Sequence, residues 1–180
     1  MGYTIKVGNA GPHVPTEDYD NTPDWEVEGM SHPEAPTFPG DDLTSNTNAR
    51  SPSYLVWANF LEEVGLLDLF FGADGRNMPG KKATREVCLM RDHPGVALLR
   101  PTDLLEIRQA RERWEAKSWP TAERIAGWDP DERLHPWSKD FDSKREPDPR
   151  YDGNLARLRW LEWWAAYALA NCKTPAVGNT

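Results

Sequence analysis

The segment from about 153 to 171 carries two apolar stripes at helical spacing, and it constrains the fold more than any other part of the chain. Leu158, Leu161, Ala165, Leu169 and Cys172 follow one stripe. Trp160, Trp163, Trp164 and Tyr167 follow a second at i, i+3, i+4 and i+7. Both stripes need cover, so this helix belongs at the centre of a domain rather than on its surface. A bundle is excluded as the source of that cover, because 16 Pro and 13 Gly among 180 residues interrupt regular structure too often. The expectation is a single α+β domain over residues 1–180. In it a small, partly antiparallel sheet, built from the N-terminal strand and residues 87 to 99, packs against three main helices, with long irregular Pro-rich segments between them.

The other elements follow from periodicity and punctuation. Tyr3, Ile5 and Val7 alternate with Thr4 and Lys6, as in a strand with one buried face. A second alternating stretch runs from Trp25 to Met30. Around it, residues 8–52 hold seven prolines together with Tyr19, Trp25, Phe38 and Leu43, which predicts an extended arm that wraps over the domain. Ser51-Pro52-Ser53 supplies a hydroxyl cap and a first-turn proline. The helix they open, over about 53–64, buries Trp57, Phe60, Leu61 and Val64 and stops at Gly65 in the left-handed position. The apolar run Leu66 to Phe71 is short enough to be a strand or a final helical turn.

Val87 to Met90 and Val96 to Leu99 read as buried strands around a Pro94-Gly95 turn. Asp103 with Glu106 resembles a capping box that opens a helix over about 102–117, with Ile107, Ala110 and Trp114 as its apolar line. Its charged run, Arg108 to Glu115, reads as a solvated face. Pro120 to Ala126 predicts a short helix. From 128 to 150 more than half of the positions are charged and four prolines intervene, so a surface excursion is expected there.

Charge and cysteine usage exclude several classes of function. A net charge of −8 repels phosphate backbones and anionic lipid at long range, so no direct nucleic-acid binding and no membrane association are expected. No apolar run approaches the roughly 18 residues of a membrane span, and nothing reads as a targeting segment, which predicts a cytoplasmic protein. Cys88 and Cys172 are too few for a disulfide scaffold and read as buried thiols. His13, His32, His93 and His135 have no partner at zinc-site spacing, so neither metal nor cofactor is expected. Gly75 to Lys82 is one residue short of a phosphate-cradling loop, with Lys82 where the magnesium-holding hydroxyl belongs. Pro79 removes a backbone donor from it, and a basic surface loop is the plainer reading.

Two segments carry candidate binding chemistry. Arg50, Ser51, Ser53 and Tyr54 bring donors into a helix N-terminus whose free amides suit an anionic group, with Trp57 as an aromatic wall. Arg91-Asp92-His93 lies at the mouth of the strand-turn-strand unit, where Asp92 and His93 add polar groups. Convergence of Arg50, Ser51, Ser53, Tyr54, Trp57, Asp92 and His93 would form a site for a small, flat anion.

Four stretches carry a resemblance. They are Ser51-Pro-Ser-Tyr-Leu-Val-Trp-Ala-Asn-Phe, Gly65-Leu-Leu-Asp-Leu-Phe-Phe, Leu89-Met-Arg-Asp-His-Pro-Gly, and the segment Tyr151-Asp-Gly-Asn-Leu-Ala-Arg-Leu with the Trp-Leu-Glu-Trp-Trp that follows Arg159. Over about residues 40–180 the chain resembles small uncharacterised proteins of actinobacterial phages and their hosts. The resemblance implies a phage-type accessory protein and transfers no catalytic residue. Three functions are then expected in order. The first is sequestration of a small anionic, nucleotide-like ligand without turnover, as in counter-defence. The second is a structural or interaction module that docks on a phage or host protein through the Pro-rich arm and the loop tryptophans Trp119, Trp128 and Trp137; self-association is compatible with either. The third is an enzyme with His93 as acid or base.

Overall fold

The computed structural model describes residues 4–12, 25–36, 48–50, 54–71, 95–118 and 152–179. Five strands, β1 (Ile5–Pro12), β2 (Trp25–Val27), β3 (Ala49–Arg50), β4 (Gly95–Leu98) and β5 (Pro175–Asn179), form one sheet. Its path is β2-β1-β5-β4, with β3 also paired to β1, and each of these pairings is antiparallel. Four helices accompany it: α1 (Tyr54–Val64), the short α2 (Leu67–Phe71), α3 (Pro101–Ser118) and α4 (Gly153–Asn171). The architecture is α+β with three main helices, as the composition requires.

Strand β1 organises the sheet because its two halves serve different partners. Ile5 to Asn9 pair with β5, whereas Ala10 to Pro12 pair with β2. The sheet therefore curls, and Val27 comes over Gly178 so closely that a Cβ there would lie 2.8 Å from Val27 Cγ2. One face of the sheet presents Ile5, Val7, Ala97 and Val177 to the helices. The other encloses a small second cluster of Ala10, Val27, Val96 and Ala176, with half-buried Trp25 against it.

Helix α4 is the centre that its two stripes demand. Leu158, Trp160, Leu161, Trp164, Ala165 and Ala168 are all buried, while Trp163 and Tyr167 stay half-buried at the rim and stack on each other. Asp152 caps the helix, its Oδ1 accepting from the Asn154 and Leu155 backbone N–H groups at 3.0 Å, and its Oδ2 accepting from Trp114 Nε1 at 2.8 Å. In α1 the four expected apolar residues are buried, and Gly65 adopts φ +75° as the C-terminal stop. The ambiguous apolar run that follows is helical, as α2.

Helix α3 starts one residue earlier than the spacing suggests and is capped differently. Pro101 takes the first helical position, and Asp103, in the third, reaches back to accept the Arg100 N–H at 2.7 Å. Asp103 is thus the returning arm of the box rather than its cap. The charged run on this helix is also less solvated than expected. Arg108 and Arg111 both bind Glu162 of α4, and Arg159 of α4 binds Glu115. The expected strand at 87–90, the helix at 120–126, the 128–150 excursion, the Gly75–Lys82 loop, the Ser51–Ser53 cap, Cys88, Trp119, Trp128 and Trp137 lie outside the described residues.

Candidate ligand site at one end of the sheet

Register decides which residues meet at the end of the sheet. Ile5 pairs with Arg50 on one side and with Asn179 on the other, and Asn179 pairs with Gly95. Arg50, Ile5, Asn179 and Gly95 therefore form a single cross-strand row, the last of the sheet. Directly opposed residues share a face, and Ile5 is in the helix-facing core, so Arg50 and Asn179 project to the helix side as well. The strand directions give this row a further property. β3 leaves the sheet at Arg50, β5 leaves it at Asn179, and β4 enters it at Gly95, all at the same end.

Arg50 and Gly95, both at this end of the sheet, are the described residues next in sequence to Ser51 and to Asp92-His93-Pro94. Ser51, Ser53, Asp92 and His93 themselves lie outside the described residues. Tyr54 opens α1. Arg50 is 1% exposed, and its guanidinium carbon lies 5.6 Å from the centroid of the Trp160 ring. That distance allows a cation–π attraction, which gains strength away from water. Trp57 is fully buried among Phe60, at 5.0 Å between ring centroids, and Phe70, at 5.9 Å, and its Nε1 has no hydrogen-bond acceptor. Arg50 and Trp57 are both closed to bulk water.

Asn179 completes the row, and nothing in the sequence flags it. It is 1% exposed, and neither its Oδ1 nor its Nδ2 has a hydrogen-bond partner. A buried polar group left unbonded costs about 1–3 kcal/mol. One row further in, the same face carries Val7, Val177 and Ala97, an ordinary apolar set. The change from valine at 177 to asparagine at 179 makes the end of the sheet polar on its helix-facing side.

Asp103 Oδ1 and Trp164 Nε1 are likewise buried without a hydrogen-bond partner. Asn48, also fully buried, bonds three backbone groups on β1 and on the 28–30 segment. Among the described residues no three His, Cys, Asp or Glu side chains come together as a metal-ligand set, and no helix is long and apolar enough to cross a membrane. Cys172, just past α4, is a free, half-buried thiol whose pKa burial pushes up, with Glu28 adding to the shift. No protein-family model, curated protein or solved structure matches this chain.

Proposed function

We propose that the protein captures a small anionic, nucleotide-like ligand, without turning it over, at the Arg50 end of the sheet. The observation that carries this reading is the shared row of Arg50 and Gly95, the described residues that adjoin in sequence the two segments with candidate anion chemistry. A guanidinium held under the Trp160 ring supplies a fixed positive charge in a protein that is otherwise acidic. The phage-type, counter-defence role rests on the resemblance alone. Native mass spectrometry of the full chain purified from its host tests the capture. A small-molecule excess that disappears on denaturation supports it, and a clean mass of the bare chain overturns it.

A second reading, docking on a protein partner, has one observation in its favour. Leu55 is 69% exposed, with Val56 beside it also in solvent, at the start of α1 and close behind the Pro-rich arm. The same spectrum addresses it, since a stoichiometric protein adduct in place of a small-molecule excess would move the weight to that reading.

A further inference from the structure

We draw no further inference here: the strongest candidate, the half-buried side-chain cluster at the rim of α4 in which the His32 ring centroid lies 5.2 Å from those of the stacked Trp163 and Tyr167, carries nothing because the three rings close on one another and nothing in the structure shows what would cover their outer faces.

Discussion

Asn48 lies directly across Gly8: a Cβ on that glycine would sit 2.8 Å from Asn48 Nδ2 and 2.9 Å from the Glu28 carbonyl oxygen. The contact marks the point where the neighbour of β1 changes from β3 to β2. Asn48 bridges the change, donating from Nδ2 to the Val7 and Glu28 carbonyls at 2.8 and 3.0 Å and accepting the Met30 N–H at Oδ1, 2.8 Å away. Gly8→Ala is expected to cost about 1–3 kcal/mol through overpacking against this fixed amide. Asn48→Ala removes the side-chain partner of one buried and two part-buried backbone groups and should cost about 1–3 kcal/mol. Because the methyl and the amide compete for the same space, the double variant should be less destabilised than the sum, by about 1 kcal/mol in denaturant unfolding. Strict additivity would show that the two residues do not meet.

Asp103 makes the stability of the fold depend on pH in an unusual direction for a carboxylate. Burial raises its pKa from 3.8 to about 6, with Glu106 adding to the rise and the Arg100 backbone N–H and charge opposing it. Between those values the folded chain holds a proton that the unfolded chain has released. The contribution of this group is therefore fully present below about pH 4 and is lost as pH rises through about 6. Two pKa units correspond to roughly 3 kcal/mol. Unfolding measured across this window for the wild type and for Asp103→Asn should give a stability difference, wild type minus variant, that falls as pH rises. A difference that stays flat would show that the carboxyl is ionised throughout.

The α3–α4 seam is held by Glu162, which accepts from both Arg108 and Arg111. Burial works against the charge on Arg111, but the carboxylates of Glu162 and Glu115 outweigh it and hold the guanidinium above its ordinary pKa. A double-mutant cycle on Arg111→Met and Glu162→Gln should return a coupling of about 1 kcal/mol, since both side chains are only partly exposed. Near 1 M salt, where the screening length drops to about 3 Å, only part of that coupling should be lost. Complete loss would place the pair in open solvent.

The helices were legible because their signal is local. Four residues in register with one turn, such as Trp57, Phe60, Leu61 and Val64, already declare the buried face of α1, and Gly65 declares its end. Strand β1 is legible for the same reason, through the alternation of Ile5 and Val7 with their polar neighbours. Strand β5 is not, because Pro175-Ala-Val-Gly-Asn179 has no alternation of apolar and polar residues. Its Gly178 is explained only by Val27, which is distant in sequence and lies over it in the curled sheet. The candidate site divides along the same line. Arg50 is visible as a cation ahead of a helix, but its alignment with Gly95 passes through Ile5 and Asn179, and only the register of β5 supplies that link. Trp57 shows how spacing alone misleads about accessibility, since a ring read as a wall of a site is sealed between Phe60 and Phe70.

The central place of β5 leads to the most severe expectation. It pairs with β1 over five residues and with β4 over four, so β4 reaches β1 only through it. A chain ending at Thr174 would lose both ladders, uncover Val7 and Ala97, and remove Val177 from beneath the helices. Such a loss exceeds the margin of about 5–15 kcal/mol by which domains are stable. The truncated chain should therefore show no cooperative thermal transition and no near-ultraviolet dichroism from its tryptophans. Gly178→Ala is the graded version of the same test. Its methyl would press on Val27 Cγ2, a side chain with some freedom to give, so a cooperative transition should survive with about 1–3 kcal/mol lost. A truncated chain that still melts cooperatively would mean that α1, α3 and α4 hold together without the sheet's middle strand, and β5 would then be a cover over the core rather than a part of it.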